Sequence, residues 1–68
     1  MNTDILEGKW KQITGSLKQQ WGDLTDDEIT QVNGSYERLQ GLLQEKYGWN
    51  RDRAEREIDA YLNQYREV

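Results

Sequence analysis

Hydrophobic side chains recur every three or four residues along most of the chain, which is the spacing of one face of an α-helix. The first stripe consists of Leu6, Trp10, Ile13, Leu17, Trp21 and Leu24. The second consists of Tyr36, Leu39, Leu43 and Tyr47, and the third of Ala54, Ile58, Tyr61, Leu62 and Tyr65. These stripes predict a long first helix, a helix in the middle of the chain, and a last helix from about Arg51 to Tyr65.

The segment Thr25-Asp26-Asp27-Glu28 predicts the start of a short helix between the first two stripes. It has the form of a capping box, in which the Thr25 side chain accepts a bond from the Glu28 amide and Glu28 reaches back to the Thr25 amide. Acidic residues also suit the positive end of a helix dipole. The cluster could suggest a metal or acid–base site, but capping explains it fully, so we predict a structural role.

The other helix boundaries are predicted from small and polar residues. The predicted starts are Asn2 or Thr3 for the first helix, Ser35 for the third and Asn50, preceded by Trp49, for the last. Gly22 and Gly48 are predicted to end the first and third helices in the left-handed conformation that glycine adopts readily. The short second helix is predicted to end near Asn33-Gly34.

The chain contains an internal repeat. Residues 8–22 read GKWKQITGSLKQQWG and residues 34–48 read GSYERLQGLLQEKYG, an offset of 26 residues. Both fit G-x-[WY]-x-x-[IL]-x-G-x-L-x-x-x-[WY]-G, and all 6 glycines of the protein lie on this pattern. The paired positions are Trp10 with Tyr36, Ile13 with Leu39, Leu17 with Leu43, and Trp21 with Tyr47. The repeat predicts two related structural units, at about residues 3–33 and 34–66.

These elements predict an all-α fold in which four helices form two packed helical hairpins from an internal duplication. Residues 1–68 are too few for more than one domain. The apolar stripes must meet, because neither hairpin can bury its own aromatic rings. The predicted centre of the core is Trp10, Ile13, Leu17, Trp21, Tyr36, Leu39, Leu43 and Tyr47, closed by Ile29, Ile58, Tyr61 and Leu62.

The glycines give a candidate interaction face. At 100° per residue, Gly8 and Gly15 lie about 140–160° from Trp10 on the helix, and Gly34 and Gly41 lie likewise in the second unit. The predicted face comprises Gly8, Gly15, Gln12, Gln19, Gly34 and Gly41. A glycine inside a helix costs about 0.8–1 kcal/mol relative to Ala. Three explanations stay open: close packing within the fold, inheritance from a duplicated ancestor, or a flat surface for a partner backbone or polymer.

Composition narrows the chemistry. The chain has no His and no Cys, so the side chains best suited to proton transfer near neutral pH and to thiolate catalysis are missing. The net charge of −4 argues against general nucleic-acid binding, although Lys9, Lys11 and Lys18 make the first helix locally basic. We therefore predict no catalytic, cofactor or metal site, and we expect a nucleic-acid role through these lysines and Trp10 to be weak because Trp10 is predicted to be buried.

The runs GKWKQITGSLKQQWGDLTDDE and LLQEKYGWNRDRAE resemble the CsbD-like family of small bacterial stress-response proteins. The similarity extends from Asn2 to about Tyr65. The resemblance implies a four-helix domain of two crossed hairpins, similar to the SAM-domain arrangement, in cytoplasmic proteins induced by general stress. It implies no catalytic residue, cofactor or partner.

Two classes of function stay open. One is a non-catalytic interaction or structural module that contacts an unknown macromolecule. The other is a hydrophilin-like protectant, since mean hydropathy is −1.15 and glycines are frequent. The absence of Cys favours the cytoplasm for so small a domain, and no signal peptide or apolar run long enough to span a membrane is visible. We expect a monomer that does not bind membranes.

Overall fold

The helices follow the apolar stripes closely. The computed structural model describes residues 2–65, which contain five α-helices and one 3-10 turn. The helices are α1 (Asn2–Gly8), α2 (Trp10–Gln20), α3 (Asp26–Val32), α4 (Tyr36–Tyr47) and α5 (Arg51–Leu62), and the 3-10 turn is Asn63–Tyr65. Within residues 2–65 there is no strand, so the all-helical prediction is confirmed.

The predicted first helix is divided in two at Lys9. Its dihedral angles are φ −113° and ψ 22°, far from helical values of about −63° and −42°. Backbone hydrogen bonds still run through this point, because the Lys9 amide donates to the Ile5 carbonyl and the Ile13 amide donates to the Lys9 carbonyl. Gly8, a poor helix former, immediately precedes the break. The bend lets α1 pack against α4 and α5 while α2 contacts α3.

The two copies of the sequence repeat begin their helices in register. Trp10 is the first residue of α2, and Tyr36, its partner in the repeat, is the first residue of α4. The second helices of the two units differ in length, since α5 has 12 residues and α3 has 7. The duplication and the SAM-like pair of hairpins stay predictions.

Three predicted N-caps are present. The Thr25 hydroxyl accepts a hydrogen bond from the Glu28 amide at 3.2 Å, and the Thr25 amide donates to Glu28 Oε1 at 2.9 Å, which completes the capping box. Ser35 and Asn50 each accept a bond from the backbone amide three residues further along. The prediction for the first helix is wrong, because Asn2 and Thr3 both lie inside α1.

One of the two predicted glycine stops is wrong. Gly48 ends α4 in the left-handed conformation at φ 70°, as expected. Gly22 has no positive φ, and α2 ends earlier, at Gln20. Trp21 leaves the helix with non-helical angles of φ −130° and ψ 89° and is buried. Because Trp21 already turns the chain, no left-handed residue is needed at Gly22.

The core lies where the helices meet. Its buried members are Leu6, Ile13, Leu17, Trp21, Leu24, Ile29, Val32, Leu39, Leu43, Ala54, Ile58, Tyr61 and Leu62. The prediction that Trp10, Tyr36 and Tyr47 are central is wrong, since all three are half-buried at the rim. Tyrosine explains part of this difference, because its hydroxyl needs a polar partner. Tyr36 donates to Asp59, and Tyr47 accepts from a backbone amide.

Candidate functional site

Three of the predicted glycines are exposed and have free space beside them. A Cβ placed on Gly8, Gly15 or Gly41 would meet no atom within 4 Å in the described part of the chain. Gly15 lies at the middle of α2 and Gly41 at the middle of α4. Close packing within the fold therefore does not explain these glycines, although it was one of the three explanations left open by the sequence.

Three residues of the predicted face lie on α2. Gln12, Gly15 and Gln19 are exposed and follow one another at steps of three and four residues, so they share one side of that helix. Gly8 is also exposed but ends α1, before the break at Lys9. We call these four residues the α2 surface. Gly8 and Gln12 also line a shallow depression beside the half-buried ring of Trp10. The α2 surface therefore combines exposed amide side chains with exposed glycines.

Gly34 does not belong to this face, and its prediction as an interaction residue is wrong. It is buried, at φ 79°, in the turn between α3 and α4. A Cβ there would lie 3.6 Å from Glu7 Cα and 3.7 Å from Trp10 Cγ. Glycine is favoured at this position because the backbone is left-handed, while the neighbouring atoms stand at ordinary contact distance.

Gly41 lies in a separate polar depression of about 630 Å³. Its wall is formed by α4 and α5 together with Thr3 of α1. The lining residues are Thr3, Tyr36, Glu37, Gln40, Gly41, Gln44, Arg51 and Glu55. We call it the Gly41 depression. None of these residues lines the depression beside Trp10, so the structure does not bring Gly41 together with the α2 surface.

The floor of the Gly41 depression contains a buried polar side chain that the sequence analysis missed. Gln40 is only 8% exposed. Its Nε2 donates to Glu55 Oε1 at 3.3 Å, and Arg51 Nε donates to the same oxygen at 3.2 Å. A signal was present in the sequence, because Gln40 follows Tyr36 by four residues and so lies on the inner side of α4.

Tyr36 forms one wall of the depression and is held by α5. Its hydroxyl donates to Asp59 Oδ1 at 2.8 Å and lies 3.4 Å from the Glu55 carbonyl oxygen. Burial raises the pKa of Tyr36 well above its ordinary value, and the hydrogen bond to Asp59 raises it further. The tyrosine ring is thus fixed in orientation, with its hydroxyl occupied inside the fold.

The basic residues of α2 are mostly engaged in internal contacts. Lys18 Nζ lies 3.0 Å from Asp26 Oδ1 in an exposed ion pair. Lys9 is half-buried, and Lys11 is exposed next to Trp10. Trp10 is half-buried, which corrects the expectation that it is buried. Lys18 therefore lies beside the acidic turn, at the opposite end of α2 from Lys9 and Lys11.

The acidic turn before α3 is a structural element. Glu28 completes the capping box and also pairs with Lys46, whose Nζ lies 2.7 Å from Glu28 Oε2. The hydrogen bond from Lys46, followed by the one from the Thr25 backbone, lowers the pKa of Glu28. Among residues 2–65, no three acidic side chains are grouped in a way that could hold a metal ion.

A hydroxyl cluster fastens the end of the described chain to α2. The Ser16 hydroxyl hydrogen-bonds the Tyr61 hydroxyl and lies 2.5 Å from the Tyr65 hydroxyl. The centroids of the Tyr61 and Trp21 rings lie 5.0 Å apart. Burial raises the pKa of Tyr61 above its ordinary value. No sequence signal indicated this contact, because Ser16 and Tyr61 are far apart along the chain.

Comparison with known proteins places the chain in a family. The CsbD-like family model matches residues 4–56. The chain belongs to the CsbD-like family. A similar protein of Pseudomonas aeruginosa, UPF0337 protein PA4738, is 55% identical over 58 residues, which cover 85% of this chain and 89% of that protein.

Other relatives cover the chain more completely. A UPF0337 protein of Bordetella pertussis is 52% identical over 63 residues, covering 93% of this chain and 96% of its own length. UPF0337 protein YjbJ of Escherichia coli K12 is 46% identical and covers 97% of this chain and 99% of its own length. No solved structure matches the chain.

None of the helices in the described region combines the length and apolar character required to cross a bilayer.

Proposed function

We propose that this protein is a non-catalytic interaction module of the bacterial stress response, which acts in the cytoplasm by contact with another macromolecule. The stress association comes from its CsbD-like membership. The cytoplasmic location is supported by the lack of Cys, since secreted domains of this size usually depend on disulfides. The non-catalytic character is supported by the lack of both His and Cys.

The observation that carries this proposal is the exposure of Gly15 and Gly41. Each lies at the middle of a helix, where Gly costs about 0.8–1 kcal/mol relative to Ala. Neither has a neighbour within 4 Å of the missing Cβ in the described structure, so no internal contact compensates for that cost. Functional surfaces are commonly retained at the expense of stability. A partner that approaches the bare backbone accounts for both residues.

A second candidate is a hydrophilin-like protectant, which acts through abundance and hydration. Mean hydropathy of −1.15 and 32% charged residues favour it. The two candidates differ in one respect that can be tested. An interaction module depends on particular surface positions, whereas a protectant without a specific site tolerates changes at any one of them.

Capture from extracts of stressed bacterial cells tests the proposal. The protein is immobilised, and the bound macromolecule is quantified for wild type, Gly15→Leu and Gly41→Leu. Thr30→Leu is the matched control, because it adds the same side chain at an exposed position on α3. The same four proteins are then tested for shielding an unrelated enzyme during heating and drying.

The interaction module predicts saturable capture that falls with Gly15→Leu or Gly41→Leu and persists with Thr30→Leu. It predicts no shielding beyond that of an ordinary protein at the same concentration. Strong shielding by all four proteins, with no saturable capture by any, would replace the proposal with the protectant.

A further inference from the structure

We infer that the Gly41 depression is a binding site for a neutral, hydroxyl-rich ligand, that is, a saccharide. The inference rests on the proposed function in giving Gly41 a recognition role. It goes further by naming the chemistry of the ligand and by treating the Gly41 depression as separate from the α2 surface.

The first step is the unpaired oxygen of Gln40. A carboxylate can only accept hydrogen bonds, so the side-chain nitrogen of Gln40 must face Glu55, at 3.3 Å. This fixes the orientation of the amide and leaves Oε1 without a hydrogen-bond partner among residues 3–65. Gln40 is 8% exposed and lines the depression. A ligand hydroxyl that enters the depression can donate a hydrogen bond to this acceptor.

The second step is the mixed set of donors and acceptors around Gln40. Glu55 uses Oε1 for its bonds to Gln40 and Arg51, and no described residue bonds its Oε2. Arg51 uses only Nε, so the other nitrogens of its guanidinium remain available as donors. Gln44 is half-buried in the same depression and can both donate and accept. A hydroxyl group suits this set because each one donates and accepts.

The third step is the charge and shape of the depression. Arg51 and Glu55 neutralise each other as an ion pair at 3.2 Å, and Glu37 repels an anion, so the described lining gives an anionic ligand no net attraction. We therefore assign a neutral ligand. The depression of about 630 Å³ lies within the range of about 300–1,000 Å³ that small-molecule sites occupy. Tyr36 offers a ring whose hydroxyl is already bonded to Asp59, and such a ring can pack against the C–H face of a sugar.

Gly41 has a direct part in this arrangement. It lines the depression and follows Gln40 directly in the chain. A Cβ at Gly41 would have no described atom within 4 Å outside the backbone of its own helix. The missing side chain keeps the depression open and leaves the α4 backbone accessible. A peptide is a weaker match, because Tyr36 is the one aromatic or aliphatic side chain among the described lining residues.

The experiment is an NMR titration of the isotope-labelled protein with maltose and, separately, with cellobiose. The signals followed are the Gln40 side-chain amide and the backbone amides of Gly41 and Gln44. N-acetylglycine methylamide is the peptide probe, and Thr30→Leu is the control for Gly41→Leu because it places the same side chain at an exposed helix position outside the depression.

We expect saturable shifts of these signals with at least one disaccharide and smaller, non-saturating changes with the peptide probe. Gly41→Leu and Gln40→Met should each weaken binding by about tenfold or more, while Thr30→Leu should stay within about twofold of wild type. Both Leu variants should melt no lower than wild type, which separates loss of the site from loss of the fold.

Two results would overturn the inference. One is the absence of saturable shifts with both disaccharides, and the other is saturable binding of the peptide probe in preference to them. Either result leaves the proposed function intact if capture from cell extracts still depends on Gly15. Conversely, saccharide binding would support the site even if capture from extracts did not depend on Gly15 or Gly41. That combination would contradict the proposed macromolecular partner.

Discussion

The exposed glycines make a prediction in which the same substitution has opposite effects at different positions. Gly15→Ala and Gly41→Ala should each stabilise the protein, because both residues are central in a helix and a Cβ meets nothing within 4 Å of the described residues. The gain is the difference in helix propensity between Gly and Ala, about 0.8–1 kcal/mol. For a domain of this size, 1 kcal/mol corresponds to a shift in Tm of about 4–8 °C.

Gly34→Ala is the matched control. Gly34 has φ 79°, and a Cβ would lie 3.6 Å from Glu7 Cα, which is ordinary contact. The destabilisation therefore comes from the backbone, since a left-handed conformation costs a residue with a Cβ roughly 1–2 kcal/mol. Circular dichroism melts and urea unfolding of the three variants measure the two expected gains in stability and the one expected loss. A lower Tm for both Gly15→Ala and Gly41→Ala would refute the conclusion that these positions have free space.

The remaining predictions concern the core, the capping box and the phenols. Leu17→Ala or Leu43→Ala should cost about 2–5 kcal/mol, because both side chains are fully buried, and a Tm equal to that of wild type would contradict the core assignment. Thr25→Ala should cost about 0.5–2 kcal/mol in urea unfolding through loss of the capping box, and no loss of stability would show that the box is unimportant. The raised pKa values of Tyr36 and Tyr61 mean that the folded state keeps their protons when the unfolded state releases them. Their contribution to stability is therefore fully present below pH of about 10 and is lost as the pH rises above it. The free energy of unfolding measured between neutral and alkaline pH should fall less in Tyr36→Phe and Tyr61→Phe than in wild type. Equal slopes of unfolding free energy against pH would contradict this.

Local sequence signals predicted the helix ends that depend on nearby residues. The capping box at Thr25 and the caps at Ser35 and Asn50 each involve a side chain and an amide three residues away, so the sequence contains both partners. Gly48 was predicted because glycine itself adopts the left-handed conformation readily. The prediction for Gly22 failed because the end of α2 depends on Trp21, which leaves the helix and packs its ring against Tyr61 from the other end of the chain.

The repeat led to a wrong prediction at Gly34, because two positions can match in sequence and still differ in their structural surroundings. Gly8 and Gly34 occupy the same place in the pattern, yet Gly8 ends α1 in the open whereas Gly34 lies in a buried turn before α4. The half-burial of Trp10 and Tyr36 has a similar origin. Both begin their helices, and helical periodicity cannot indicate that the first turn lies at the rim of the core.

The polar network of the candidate site could be predicted only in part. Gln40 was recognisable as a polar residue on the inner side of α4, but its partner Glu55 comes from α5 and depends on how the two helices pack. The Ser16, Tyr61 and Tyr65 hydroxyl cluster is likewise formed by distant segments. Contacts of this kind follow from tertiary packing, which periodicity and capping signals do not determine.

The most direct test of the central claim is a competition measurement in extract from stressed cells. Labelled wild-type protein is bound to saturation, and unlabelled wild type or the Gly15→Leu/Gly41→Leu double variant is added in excess. An interaction module that recognises the bare backbone of α2 and α4 predicts that unlabelled wild type displaces the label and the double variant does not. Equal displacement by both proteins, from a double variant that melts no lower than wild type, would contradict the account.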